Sequence, residues 1–298
     1  MRAISILVVC VLASSSCFAG LVAPNYEWWR GSAPTVAGMM MGYYDINGYA
    51  GLRYDNLVPG GVAEMNTFGN PAALVNGIIA SPQHVANYYI GGYGASGDDC
   101  GTHSPNCLAD FMGTSQDSAG NANGSTTFYY WTNGGRFHAA EAFAYGVWQS
   151  DGMYGIGEYL RYAGYDFYDP APGNLTDDML YSQLTDTSKA YYFSFADFKA
   201  EIDAGRPVMV HLTGHDVLGY DYIDGGGVAA NQIMICDTWT SGGHVMTWNG
   251  TYSGLDMYGV TVLELTGGTA QVPEPASMTL VGMGVLALVG VVRRRRMS

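Results

Sequence analysis

An uncharged segment near the start of the chain is the strongest constraint on how this sequence folds. Residues 31–35 (GSAPT) precede a run of small and apolar residues at positions 36–44 (VAGMMMGYY). Pro34 suits the first turn of a helix, where its missing N–H costs little. A side chain at Ser32 would then lie beside N–H groups that have no partner within the helix, at the positive end of its dipole. The segment predicts a helix from Ser32 to about Asp45 and makes Ser32 a candidate nucleophile.

The rest of the chain changes from helical to strand-like periodicity. Short helical or irregular pieces are expected around residues 82–90 and 106–112, and helices at 137–147 and 153–163. Ser194 and Asp197 form a capping box that predicts a helix ending near Ala204. Alternating segments then follow at hairpin spacing: residues 207–213, 215–223, 232–237, 244–248 and 260–265. Helices followed by antiparallel strands predict the α+β class. The polar residues 115–125 (SQDSAGNANGS) are expected to form an exposed loop.

Three cysteines lie between the terminal segments. Cys100 and Cys107 enclose a short polar loop and are predicted to form a disulfide in an oxidising compartment. His103 between them suggests a metal, but one histidine and two cysteines fall short of a structural zinc set. Cys236 precedes Asp237 on a predicted strand, so its thiol is expected to point into the core. No metal or cofactor is predicted.

Both ends of the chain have the composition of targeting signals. Residues 1–19 combine Arg2, an apolar run and a small-residue cleavage site, which predicts a secretory signal peptide. At the other end, residues 272–275 (VPEP) precede 17 uncharged residues, 276–292, and then Arg293–Arg296. Seventeen residues are the lower limit for a membrane-spanning helix, and the arginines would keep that end in the cytoplasm. A simple membrane anchor is one interpretation.

These three C-terminal parts, in this order, resemble the PEP-CTERM sorting signal of Gram-negative bacteria that make exopolysaccharide. The resemblance implies recognition by an exosortase, transient insertion in the inner membrane, removal of the tail and delivery to the envelope or outside. The predicted organisation is a signal peptide (1–19), one domain (20–270) and the sorting signal (271–298) with a transmembrane segment at 276–292.

The region between the two ends is strongly acidic. The chain has 12 Lys and Arg against 26 Asp and Glu, and five of the basic residues lie in the terminal segments, at Arg2 and Arg293–Arg296. This charge argues against nucleic acid and anionic lipid as partners. Whether a calcium ion lies among Asp221, Asp224 and Asp237 is left open.

Two later segments extend the constellation that begins at Ser32. His215 lies in residues 214–220 (GHDVLGY) and Asp237 in residues 235–239 (ICDTW). A nucleophile on a helix, then a histidine and an aspartate on strands, resembles the order of papain-like cysteine peptidases. Residues 204–215 (AGRPVMVHLTGH) are similar to the segment before the active-site histidine in the branch of bacteriocin-leader-processing peptidases. The resemblance implies a cleft between a helical and a sheet side, with Ser32 in place of the catalytic cysteine.

Each of these residues also has a plainer interpretation. Serine is favoured at helix N-termini in any case, and Asp237 fits the turn that follows its strand. His211 competes with His215, since two residues four apart share one face of a continuous strand. Gly214 suggests a break in that strand, and the surroundings of His215 favour it as the catalytic candidate.

The replacement of sulfur by oxygen argues against peptidase activity. A papain-like thiol is activated as a thiolate–imidazolium pair, whereas a serine must be deprotonated during attack by a well-aimed base. Residues 25–27 (NYE) also replace the glutamine that the family uses as an oxyanion donor. We therefore expect a catalytically inactive, peptidase-like protein that binds a peptide or glycan at the cell surface or in exopolysaccharide. The alternatives are a serine-dependent acyl hydrolase using Ser32, His215 and Asp237, and a structural matrix protein.

Overall fold

The computed structural model of the chain describes residues 20–88, 104–122, 124–165, 180–265 and 269–270. The helices in these ranges are α1 (Ser32–Asn47), α2 (Asn76–Ile79), α3 (Pro82–Tyr88), α4 (Leu108–Phe111), α5 (Ala139–Ala144), α6 (Gly152–Tyr162) and α7 (Phe195–Asp203). The strands are β1 (Leu52–Arg53), β2 (Phe137–His138), β3 (Leu180–Leu184), β4 (Val208–Leu212), β5 (His215–Ile223), β6 (Gln232–Cys236), β7 (His244–Thr247), β8 (Thr251–Tyr252), β9 (Leu255–Leu263) and β10 (Thr269–Ala270).

One antiparallel sheet organises the second half of the fold. Its strands follow the order β2-β3-β9-β4-β5-β6-β7, with β8 paired to β9, while β1 and β10 form a separate pair. Four predicted strands correspond closely to β4, β5, β6 and β7, because they are consecutive hairpin strands. The predicted strand at 260–265 is the end of the longer β9. The α+β prediction is confirmed. Strand β3 was not predicted, because Ser182 and Gln183 are buried polar residues that interrupt any apolar pattern.

Helix α1 lies against the sheet and is enclosed on nearly all sides. Thirteen of its 16 residues are buried, as expected for a helix that is apolar around its circumference. Its glycines allow other elements to approach closely: a Cβ at Gly42 would lie 2.1 Å from the Tyr26 hydroxyl oxygen. Helix α1 begins at Ser32, as predicted, which fixes this residue at the helix N-terminus beside strand β5.

The other face of the sheet is covered by α7. Ser194 accepts a hydrogen bond from the Asp197 N–H and the Asp197 carboxylate accepts one from the Ser194 N–H, which confirms the predicted capping box. Phe198 and Ile202 of this helix are buried against the strands. The apolar core between α7 and the sheet supports the β4–β5 hairpin on this face, while α1 packs against its opposite face.

The two described cysteines are buried free thiols. Cys236 lies in the core beneath α1, so this prediction is confirmed. Cys107 is also a free, buried thiol, next to His84 and Asp110. The predicted disulfide is therefore not supported, and its other member, Cys100, lies outside the described residues.

Candidate functional site

An open pocket of about 690 Å³ lies where α1 begins and the β4–β5 hairpin turns. Ser32 and His215 both line it. The other lining residues are Glu27, Trp28, Gly124, Ser125, Thr126, Phe128, Leu212, Gly214, Asp216, Thr238, Trp239 and Tyr258. The pocket thus combines a hydroxyl, an imidazole, two carboxylates and several aromatic rings, with neither lysine nor arginine in its described lining.

The Ser32 side chain is held by Asp216. The Ser32 hydroxyl donates to Asp216 Oδ2 at 3.1 Å, and Ser32 Oγ accepts the Asp216 backbone N–H at 3.2 Å. Among the hydrogen bonds of the described residues, Ser32 Oγ is not paired with His215. The proton that a nucleophilic serine would have to lose is therefore directed to a carboxylate.

Asp216 is the start of a chain of polar side chains that runs from the pocket into the sheet. Its Oδ1 lies 2.6 Å from Nδ1 of His211, which is fully buried. His211 Nε2 lies 2.9 Å from the Thr261 hydroxyl, and Thr261 is bonded in turn to Ser182 at 2.7 Å. The chain crosses β5, β4, β9 and β3, so it ties the position of Ser32 to the middle of the sheet.

The hairpin register explains why Asp216 and His211 meet. Thr213 and Gly214 form a two-residue turn, so Leu212 pairs with His215 and His211 pairs with Asp216. Directly opposed residues of an antiparallel pair project to the same face. Asp216 was not among the predicted site residues, although the two-residue turn was a usable signal for this pairing.

His215 takes part in a different set of contacts. Its Nε2 donates to the backbone carbonyl of Asp237 at 2.8 Å, and its ring stacks on Trp239 at 3.9 Å between centroids. Burial lowers the pKa of His215, which the hydrogen bond to Asp237 partly offsets. The ring is therefore neutral at neutral pH, and because Nε2 carries the proton, Nδ1 is the basic nitrogen.

The Asp237 carboxylate serves the turn after β6 rather than the imidazole. Oδ1 accepts the N–H groups of Trp239 and Thr240 at 3.0 and 2.9 Å, and Oδ2 accepts the Tyr252 hydroxyl at 2.8 Å. These hydrogen bonds and the nearby His244 lower the pKa of Asp237 against the opposing effect of burial. Asp237 thus contacts His215 through its backbone oxygen, and its side chain has the turn-closing role that the sequence had left open. Asp224, another of the three aspartates considered as calcium ligands, forms a salt bridge with Lys199.

The backbone of Thr238, which lines the pocket, is strained. Its φ angle is +64°, and the other described non-glycine residues with positive φ lie outside the pocket lining: Arg30, Ala50, Ser115, Asn249 and Ser253. This conformation is uncommon for residues other than glycine and is unfavourable for a β-branched residue such as Thr238. The Thr238 carbonyl accepts the Trp28 N–H at 2.8 Å, which joins the two sides of the pocket. Strained residues of this kind cluster at functional sites.

The prediction that residues 115–125 form an exposed loop is correct only in part, since Asp117, Ser118, Gly120, Ala122 and Ser125 are exposed. Ser115, Gln116 and Asn121 are buried, and Gly124 and Ser125 line the pocket. The segment is fixed by its own polar groups: Ser115 Oγ accepts the Gly124 N–H at 2.9 Å, and Asn121 donates to the Gly113 carbonyl at 2.8 Å. The polar composition gave no sign of the buried part, because its hydrogen bonds are made within the segment and to the residues just before it.

Comparison with known proteins identifies the C-terminal segment. Residues 271–296 match the PEP-CTERM protein-sorting motif. No curated protein and no solved structure matches the chain. The PEP-CTERM motif directs export through the inner membrane, recognition by an exosortase-type sorting enzyme and sorting to the cell envelope or surface. The predicted localisation is thereby confirmed, whereas the papain-like relationship stays a prediction.

The described part of the chain holds no helix with both the length and the apolar character needed to cross a bilayer. The predicted transmembrane segment at 276–292 and the signal peptide at 1–19 lie outside the described residues.

Proposed function

We propose that this exported protein binds a peptide in the Ser32 pocket at the cell surface and does not cleave it. The observation that carries the proposal is the pairing of the Ser32 hydroxyl with Asp216 instead of His215. A serine nucleophile needs a base that accepts its proton during attack, and carboxylates are generally much weaker bases than imidazole. The pocket contains a hydroxyl, an imidazole and carboxylates, the groups that hydrolases use, in an arrangement that favours binding over cleavage.

The pocket has the size and lining of a ligand site. Its volume of about 690 Å³ lies within the range of roughly 300–1,000 Å³ that is typical of small-molecule and cofactor sites. Trp239 is 44% exposed and presents a flat apolar surface beside His215. Aromatic rings of this kind supply large contact areas with little loss of side-chain freedom.

The charge of the pocket restricts the ligand. Glu27 and Asp216 contribute carboxylates to a lining whose described residues include neither lysine nor arginine, and His215 is neutral. Such a site favours neutral or basic peptides over acidic ones, through electrostatic complementarity. The same reasoning disfavours acidic polysaccharides; a neutral glycan is the alternative ligand in the experiment below.

The test measures binding and hydrolysis on the same purified protein. A panel of peptides of one length, with basic, neutral or acidic composition, is titrated by calorimetry alongside a neutral oligosaccharide. We expect the order basic, neutral, acidic, and a loss of about tenfold in affinity for Trp239→Ala, as for central aromatic residues of other interfaces. Tyr191→Ala is the matched control, since Tyr191 is 62% exposed and lies outside the pocket lining. Binding of the oligosaccharide alone would overturn the peptide assignment.

A serine-dependent acyl hydrolase is the second candidate, because Ser32 and His215 line the same pocket and His215 has a basic nitrogen. A fluorophosphonate probe distinguishes the two functions. The binding proposal predicts no labelling and no ester or peptide hydrolysis. Labelling of the wild type that Ser32→Ala abolishes would replace it with the hydrolase.

A further inference from the structure

A second cluster of chemically reactive side chains lies outside the pocket and is buried. His84 comes from α3, Cys107 directly precedes α4, and Asp110 belongs to α4. One ligand atom from each residue lies within 4.8 Å of those of the other two. Cys107 and the side chains of His84 and Asp110 are fully buried. Three donors of different chemistry therefore converge in the interior, where polar groups are costly unless they are satisfied.

The surrounding backbone holds these donors in place. His84 Nδ1 lies 2.8 Å from Asp110 Oδ1, and Asp110 Oδ2 accepts the Asn106 N–H at 3.0 Å. The Ser81 hydroxyl accepts the His84 N–H at 3.2 Å, which fixes the start of α3. These contacts join two short helices that are distant in sequence, so the cluster is a built feature of the fold.

We propose that His84, Cys107 and Asp110 supply three of the four ligands of a buried zinc site. Thiolate, imidazole and carboxylate are the three protein ligands of Zn²⁺, whereas Ca²⁺ and Mg²⁺ prefer oxygen alone. In a tetrahedral zinc site, a sulfur and a nitrogen ligand lie about 3.6 Å apart, and a nitrogen and an oxygen ligand about 3.4 Å apart. The three ligand atoms lie within 4.8 Å of one another, and the 2.8 Å contact between His84 and Asp110 would have to widen for them to bind one ion. The fourth position is left to water or a further donor.

Charge balance supports a divalent cation at this position. A thiolate and a carboxylate carry two negative charges, which one Zn²⁺ neutralises, while imidazole binds as a neutral ligand.

The structure supplies donors that the sequence did not connect. In the sequence, Cys100, His103 and Cys107 lie close together, and they pointed to a disulfide instead. His84 and Asp110 become ligands only because α3 packs beside α4. The zinc would fasten these helices behind Trp29, whose indole N–H donates to the Ala80 carbonyl at 3.2 Å. Its role would be to stabilise the helical side of the fold.

The experiment uses the exported, full-chain protein purified without chelators. Elemental analysis should find about one zinc ion per chain, as in a structural site. Replacement by Co²⁺ should produce the thiolate-to-metal charge-transfer absorption that a cysteine ligand gives. Cys107→Ser should abolish that band and lower bound zinc at least tenfold. Cys236→Ser is the matched control, because it removes the other described buried free thiol and should leave zinc unchanged.

A second measurement keeps the test decisive where Cys107→Ser does not fold. Removal of zinc from the wild type by a chelator should lower the melting temperature, and added Zn²⁺ should restore it, whereas Mg²⁺ should not. Three results would overturn the proposal: no zinc after incubation with excess metal, a cobalt form without the thiolate band, or Cys107 in a disulfide in the exported protein. None of these results bears on peptide binding by the Ser32 pocket.

Discussion

Two histidine–aspartate pairs in this protein have similar geometry and different surroundings. His211 and Asp216 are 2.6 Å apart and adjoin an open pocket, whereas His84 and Asp110 are 2.8 Å apart and fully enclosed. Each pair lies beside a residue with nucleophilic chemistry, the Ser32 hydroxyl in one case and the Cys107 thiol in the other. Access to solvent separates them: the open pair can position a side chain for an outside ligand, and the closed pair can act only on the fold or on an ion.

The comparison predicts that the closed pair, His84 and Asp110, contributes more to the free energy of unfolding than the open pair. Asp110→Asn should lower the free energy of unfolding by about 3–5 kcal/mol, because it breaks a buried pair and leaves His84 without its carboxylate. Urea denaturation followed by fluorescence measures the change. Asp186→Asn is a control, since Asp186 carries an exposed carboxylate. A loss no greater than that of the control would mean that the closed pair has no special energetic role.

The open pair, His211 and Asp216, should contribute less to the free energy of unfolding. Asp216→Asn removes a charge-assisted hydrogen bond to His211 and one from Ser32, and should cost about 1–3 kcal/mol. The Asp216 side chain is 13% exposed, so water can replace part of the lost interaction. The same denaturation experiment checks this value. A cost above that of Asp110→Asn would reverse the comparison between the two pairs.

Replacement of Ser32 by cysteine tests which group controls the nucleophile position. Beside Asp216, the introduced thiol should have a raised pKa and react with iodoacetamide more slowly than a cysteine in a denatured peptide. Combining Ser32→Cys with Asp216→Asn should increase the rate about tenfold, the effect of lowering a thiol pKa by one unit. The wild type supplies the background from the three native cysteines between the terminal segments, Cys100, Cys107 and Cys236. If the thiol of Ser32→Cys alone reacts faster with iodoacetamide than the peptide cysteine does, His215 activates this position instead.

The pH dependence of stability should show the smallest effect of the four. Burial lowers the pKa of His215 in the folded state, so the unfolded chain binds a proton more readily as the pH falls through about 6.5. Stability from this group is complete above that pH and is lost below it. His215→Gln should reduce the slope of melting temperature against pH between 7 and 5. A slope equal to that of the wild type would exclude His215 as the source.

The sequence anticipated those parts of the fold whose signals are local. Helix α1 starts at the serine that precedes Pro34, and the capping box of Ser194 and Asp197 begins α7, because both signals act within one turn. Strands β4 to β7 follow each other as hairpins, so short-range alternation was enough to find them. Strand β3 was missed because its partners come from β2 and β9, and its buried polar residues are satisfied only by those partners.

By itself, the sequence determined the α+β class, the position of Ser32 at a helix N-terminus and the export of the protein through its PEP-CTERM motif. Its prediction of Ser32, His215 and Asp237 as a triad also placed the first two in one pocket. Only the tertiary structure decided which groups these side chains contact: Asp216 holds Ser32, and the Asp237 carboxylate closes a turn. It also brought His84 to Cys107 and Asp110. Hydrogen bonds and metal ligation act over about 3 Å between residues far apart in the chain, so residue type and order alone do not specify them.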